Sequence, residues 1–295
     1  MIWVTWRQHR TQALICLGLF CAISIFAVVL GTWMRATFST DGLGTCLARS
    51  GGAGCPAAIN SFVTKFNGGV TLPVNLLTFV IPGYLGAIVG APLLGQELER
   101  GTWQLAWSQT VPRTRWLVTQ LALVVGGLVV FGAAVTALVT WARGPLDEVS
   151  MRAQTPLNFE GLYLTCSLLC AFALGVLAGL LLRNTIGGMV VAYIAWEAPS
   201  LVATLLSGPL HILTVTKTIA CTTGCARAST NSIPPVTGNL GDQVLSLTRT
   251  GNHLIVTYQP ASRFWTLQLI DAGLFLAVAA AALGTAIWLL HRRTT

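Results

Sequence analysis

Charged side chains are scarce in this chain: Asp, Glu, Lys and Arg make up 9% of its 295 residues. Lysine occurs only as Lys65 and Lys217, and neither follows the glycines of a G-x-x-x-x-G-K-[ST] loop. The chain therefore cannot itself be a P-loop ATPase. Histidine is also rare, with four residues, all outside the apolar runs, and no H-E-x-x-H occurs. No Ser, His and Asp set can be assembled either, so nothing supports an intramembrane enzyme and no catalytic residue is expected. A stand-alone, ion-coupled transporter would predict an internal repeat and more acids within the apolar runs, and neither is found. The net charge of +8 is spread among loops rather than gathered on one face, which argues against nucleic acid as a partner.

What the chain has in quantity is hydrocarbon. Hydrophobic residues are 54% of the total and the mean hydropathy is +0.72, the composition of a polytopic membrane protein. About 20 apolar residues at about 1.5 Å each cross a hydrocarbon core of about 30 Å. Six runs qualify: Ala13–Met34, Pro73–Leu94, Trp116–Trp141, Phe159–Leu182, Ile186–Leu206 and Phe264–Leu290. The expected fold is an all-α membrane bundle of six spans in a single domain, residues 1–295. The first run is too long for a removable signal peptide and is expected to stay. Eight of the seventeen Lys and Arg, namely Arg7, Arg10, Arg100, Arg113, Arg115, Arg183, Arg292 and Arg293, fall in the short segments that share a side with both termini. Their density there predicts that both termini are cytoplasmic.

Residues 1–12, MIWVTWRQHRTQ, read either as a short interfacial helix, its indoles at headgroup level, or as a positive flank of the first span. Cys16, Cys21, Cys166 and Cys170 lie inside apolar runs and read as small buried hydrophobes. Cys46, Cys55, Cys221 and Cys225 fall in the two loops expected outside. An even number there suggests two disulfides, with a zinc site as the competing reading, and no metal is expected. The glycine-rich first outer loop would depend on a Cys46–Cys55 staple for its shape. The second, residues 207–263, contains two β-prone runs, Val244–Thr248 and Leu254–Tyr258, joined by a turn with Gly251 and Asn252, and predicts a β-hairpin.

The densest charge lies in residues 95–115, the longest inner loop. Glu97, Glu99 and Arg100 end one helix at the membrane surface, Gly101 and Thr102 offer a break and a cap, Trp103–Trp107 is a short amphipathic element, and Thr110, Val111 and Pro112 then restart a helix. Glu97, Glu99, Gly101 and Thr102, then Leu105, then Val111, Pro112 and Arg113 resemble the pattern that follows the second span in membrane subunits of ABC-2 type transporters. The likeness extends to the six spans, the W-x-x-W-R-Q-H-R opening and the YQPASRFW approach to the last span, and is greatest to bacterial ABC exporter permeases. The strand-bearing second outer loop departs from that family, which commonly has short re-entrant helices there.

The resemblance implies that residues 95–115 form a cytoplasmic coupling loop seated on a separate ATPase subunit, in a bacterial plasma membrane. ATP and Mg2+ would be held by that partner, and no cofactor by this chain. Glu97, Glu99 and Arg100 would contact the ATPase or brace the loop, Trp103 and Leu105 would fill its groove, and Arg113 and Arg115 would contact either it or lipid phosphate. Two permease subunits, identical or different, would make the working transporter, moving a hydrophobic or amphipathic substrate outward; a sensory or regulatory role would use the same coupling chemistry. Glu197, central in the fifth span, reads as a pathway or helix-contact residue or as a structural carboxyl. Asp271 reads as a structural hydrogen-bonding group near the outer interface. Gly86 with Gly90, and Gly175 with Gly179, have the spacing of close helix packing, though a pathway lining is the other reading.

Overall fold

In a computed structural model the described residues are 2–50, 57–59, 61–66, 76, 80–99, 113–149, 161–207, 214–220, 243–250 and 253–292. They form seven helices of eight residues or more and one sheet: α1 (Ile2–Thr40), α2 (Leu43–Ser50), α3 (Ile81–Glu99), α4 (Arg113–Glu148), α5 (Tyr163–Leu182), α6 (Thr185–Ser207), β1 (Val215–Ala220), β2 (Gln243–Thr250), β3 (His253–Gln259) and α7 (Phe264–Arg292). Five of these helices contain stretches long and apolar enough to cross a membrane: Leu14–Thr40, Val118–Leu146, Tyr163–Leu182, Thr185–Leu205 and Phe264–Arg292. The expected second span is represented by α3, which begins eight residues later than the run read from sequence and is not among the five. Glycine at 83, 86, 90 and 95, proline at 82 and 92, and the polar end Gln96-Glu97 dilute its hydropathy.

Those glycines let α3 sit at the centre of the bundle rather than against lipid. Along α3, α5 and α6 the backbones touch. A Cβ on Gly90 would lie 2.2 Å from the carbonyl oxygen of Phe172, one on Gly86 2.6 Å from the Phe172 amide, and one on Gly179 2.4 Å from the Ala91 carbonyl oxygen. Of the two readings of these glycines, the structure supports packing. Above and below the contact line, Leu85, Val89, Leu93, Phe172, Val176 and Leu180 are buried together. The opposite side of α5 packs on α7 through Cys166, Cys170, Phe275, Ala279 and Ala282. With both sides covered, α5 has no polar face, as expected of an enclosed helix.

The other pair, α1 and α4, packs as a second unit. Arg35 of α1 sets its guanidinium 4.0 Å from the ring centre of Trp141 and donates to the carbonyl oxygens of Gly31 and Trp141. Both helices overrun the sequence reading, to Thr40 and Glu148. On their extended ends rest α2 and the helical residues 61–66, burying Met34, Leu43, Phe62, Val63, Phe66 and Leu146. The first outer loop is thus helical over most of its described length, because its Leu and Phe residues recur at helical spacing and find a shared apolar cap. At the other end, the separate interfacial helix expected over residues 1–12 is not seen: Ile2–Gln12 is continuous with α1. No proline or glycine precedes Gly18 to break it.

The expected hairpin is present as β2 and β3, with Thr250 opposite His253 and a bulge between Val244 and Ser246. The sequence reading missed β1, which pairs antiparallel with the other edge of β3, giving the order β1-β3-β2. Leu254 and Val256 of β3 are buried. A 3-10 turn, Ala261–Arg263, leads from the sheet into α7.

Candidate functional site

The charged end of α3 meets the tight connection between α5 and α6. Arg183 adopts a left-handed conformation, φ 52°, and its N–H donates to Gly179 O at 3.1 Å, closing α5. Asn184 then opens α6 by accepting the Gly187 N–H on Oδ1 at 2.9 Å. That leaves the Thr185 amide, one of the donors a helix start cannot satisfy internally. Glu99 supplies the acceptor: its Oε2 takes the Thr185 N–H at 3.1 Å and the Thr185 hydroxyl at 2.9 Å. A carboxylate at a helix N-terminus also gains from the helix dipole, typically about 0.3–1 kcal/mol when exposed. Next to this contact the three helices are at backbone distance, a Cβ on Gly188 falling 3.0 Å from Gly179 Cα and 3.3 Å from Ala91 Cβ. Glu99 therefore holds the start of α6 to the end of α3 where neither can slide freely.

Polar groups inside the spans form a second constellation, around the other end of α5. Gln268 of α7 is 1% exposed, and its Oε1 accepts the N–H groups of Leu162 and Tyr163 at 3.2 Å each, capping α5 from a neighbouring helix. Asp271, one turn further along α7, is buried at 3% exposure. Trp196 of α6, fully buried, donates its indole N–H to Ser167 Oγ of α5 at 3.0 Å. Glu197, by contrast, lies on the exposed side of α6, one turn from Tyr193, whose ring centre is 4.5 Å from that of Tyr84. Tyr84 is 52% exposed, so a polar, aromatic strip interrupts an otherwise apolar outer surface.

A helical bundle with five candidate spans and a polar junction at one end needs a relative to give it a role, and one family model matches: ABC-2 membrane transporter related, over residues 17–207, about two thirds of the chain. The chain belongs to that family. No curated protein and no solved structure matches it. The family match ends with α6, so the three-stranded sheet and α7 lie beyond it. That boundary agrees with the departure read from the sequence in the second outer loop. Family membership together with the apolar helices makes the chain a multi-pass membrane protein of transporter type.

Of the residues singled out in the 95–115 segment, the structure places Glu99 in a contact, Glu97 in the last turn of α3 and Arg113 at the first position of α4. Arg100, Gly101, Thr102, Trp103, Leu105 and Pro112 lie outside the described residues. So do Cys55, Cys221 and Cys225, so the expected loop disulfides fall on residues outside the described ones, while Cys16, Cys21, Cys166 and Cys170 within the helices are free. Glu197 and Asp271 are not brought together with the Glu99 junction. Thr185 and Gln268 escaped the sequence reading because each acts as a cap across space. Asn184-Thr185 before an apolar run is a local capping signal, but nothing local marks Gln268.

Proposed function

We propose that this chain is the membrane subunit of an ATP-driven exporter, coupled through residues 95–115 to a separate ATPase subunit that holds ATP and Mg2+. The observation that carries the reading is the Glu99–Thr185 contact in a chain of this family. Coupling requires that a push on the docking loop be felt by helices rather than absorbed in slack. Glu99 sits at the edge of that loop and is hydrogen-bonded to the start of α6, the third helix further along the chain. In this reading the Glu99 end, with both termini, faces the cytoplasm of a bacterial cell, and Glu97, Arg100, Gly101, Thr102, Trp103, Leu105, Pro112 and Arg113 complete the seat for the ATPase.

The exposed strip of Tyr84, Tyr193 and Glu197 marks where a second permease subunit, identical or different, closes the transport path. A carboxylate facing lipid tails near mid-span is unfavourable by about 2.5–3.5 kcal/mol on insertion scales, so cover by protein or by a wet path is the stable arrangement. The mostly apolar walls suit a hydrophobic or amphipathic substrate. On the outer side, Cys46, Cys55, Cys221 and Cys225 form two disulfides.

The test is co-purification with ATP hydrolysis and transport measured on the same preparation. In wild type an ATPase accompanies the chain and hydrolysis tracks transport. Glu99→Ala, and more mildly Thr185→Val, keep the ATPase bound but lower transport per ATP hydrolysed, while Glu99→Gln, which retains an acceptor oxygen, recovers part of it. Wild-type chain that never brings down an ATPase, yet transports in liposomes alone, would overturn the reading.

A further inference from the structure

Where α1 and α4 meet α3, Cys16, Phe20, Val89, Gly127 and Phe131 surround a cavity of about 390 Å³. That is the size of a site for one ligand, about 300–1,000 Å³ being usual. Apart from the Cys16 thiol, every side chain lining it is hydrocarbon. Such a wall offers a water molecule none of the 2–4 polar partners it requires. Leu17 and Val130, which also line the cavity, are exposed at 57% and 69%, so it opens sideways. The α1 and α4 walls belong to the crossing stretches Leu14–Thr40 and Val118–Leu146, so the phase at the opening is lipid tails.

Gly127 explains how the space arises. Glycine in a helix interior is about 1 kcal/mol less favourable than alanine, and at Gly90 and Gly179 close helix approach offsets that. At Gly127 a Cβ would meet nothing within 4 Å. The missing side chain brings no helix closer; it leaves room.

We propose that this cavity seats one acyl chain of an anionic membrane phospholipid, inserted sideways between α1 and α4 against α3. Charge at the adjoining helix ends fits the headgroup. Arg10 precedes the apolar run Ala13–Met34 by three residues and Arg115 immediately precedes the run Trp116–Trp141, so both stand at the edge of the hydrocarbon, where a long basic side chain reaches the headgroup layer. Arg7 and Arg113 continue the same two ends. This seat is separate from the strip on α3 and α6 and does not depend on the coupling reading.

The experiment uses the full chain in nanodiscs of phosphatidylethanolamine and phosphatidylglycerol, with a phosphatidylglycerol probe carrying a diazirine on its acyl chain. Adducts are mapped by peptide mass spectrometry after illumination. Labelling of segments 16–20 and 124–134 is expected to saturate at a low mole fraction of probe, while labelling of the exposed face of α6 rises in proportion to probe. Inside lipid no water is displaced, so the chain is held by packing alone, and Gly127→Leu, which occupies the room of several carbons, is expected to abolish the saturable part of the labelling at the two segments. Gly273→Leu is the control, since Gly273 on α7 also has nothing within 4 Å of its Cβ position and lies away from the cavity; it leaves the labelling unchanged. Non-saturating labelling at segments 16–20 and 124–134 in wild type, equal to that of α6, overturns the proposal without reference to any variant. So does a folded Gly127→Leu protein that labels like wild type.

Discussion

Replacing Gly90 by alanine adds one carbon at the point where α3 and α5 are closest. That carbon would lie 2.2 Å from Phe172 O, 3.1 Å from Phe172 C and 3.1 Å from Val176 N, all backbone atoms. A side chain in the way could change rotamer, but a carbonyl inside a helix cannot move without disturbing its own hydrogen bond. To reach ordinary contact, 3.4 Å or more, the helices must part by about 1 Å along a seam that also buries Leu85, Val89, Phe172 and Val176. Overpacking of this kind is unfavourable by about 1–3 kcal/mol, and the opened seam also forfeits part of the dispersion energy of its other contacts. Against this, alanine gains about 1 kcal/mol in helix propensity. Gly90→Ala is therefore expected to lower stability by about 2 kcal/mol, while Gly273→Ala, with nothing near its Cβ position, raises it by up to about 1 kcal/mol. Reversible unfolding in mixed micelles, followed by helical circular dichroism, reads the difference between the two variants. Equal stability of Gly90→Ala and Gly273→Ala would refute the contact between α3 and α5.

Gln268→Leu leaves the amides of Leu162 and Tyr163 without their acceptor, a loss of about 1–3 kcal/mol. Hydrogen exchange over the first turn of α5 should accelerate, and unchanged protection of the Tyr163 amide would contradict the cap. Ser167→Ala strands the buried indole N–H of Trp196 and should destabilise by about 1–3 kcal/mol. In a double-mutant cycle with Trp196→Phe the two changes should couple by about 1 kcal/mol, and additive effects would mean that the bond contributes nothing.

Long apolar runs made the spans legible, since length and hydropathy alone decide whether a segment can cross a membrane. Five expected runs reappear as candidate spans within a few residues of their expected positions, although α1 and α4 run several residues further at their C-terminal ends. The register of α3 was harder, because the residues that make it a good inner helix, Gly83, Gly86 and Gly90, are those that lower its hydropathy. The first outer loop misled for a related reason: Gly42, Gly44 and the glycines at 51, 52 and 54 suggest irregular chain, yet Leu43, Phe62 and Phe66 gain more by capping α1 and α4. For the hairpin, alternation and a Gly-Asn turn sufficed. β1 lacks a turn partner next to it in sequence, and its pairing with β3 is a long-range event that local pattern does not carry. At the candidate site the charge density pointed to the right segment, but the partner of Glu99 lies 86 residues away, beyond any local rule.

The two halves of the bundle are held by different kinds of contact, and that difference bears on how force would travel through it. Between α3, α5 and α6 the contacts are backbone to backbone, with Gly90, Gly179 and Gly188 as the points of approach. At those points the seam has no side chain that could rearrange, which limits its compliance. Between α1 and α4 and the rest, the contacts are largely side-chain packing around Phe20, Phe131 and Leu128, with one close approach of Gly132 to Thr165 and a cavity left beside them. Side chains at such a seam can change rotamer, and an occupant of the cavity can come and go. On the proposed coupling, a displacement applied at Glu99 would pass to α5 and α6 together, and the relative movement would be taken up where α1 and α4 pack on the other helices through side chains.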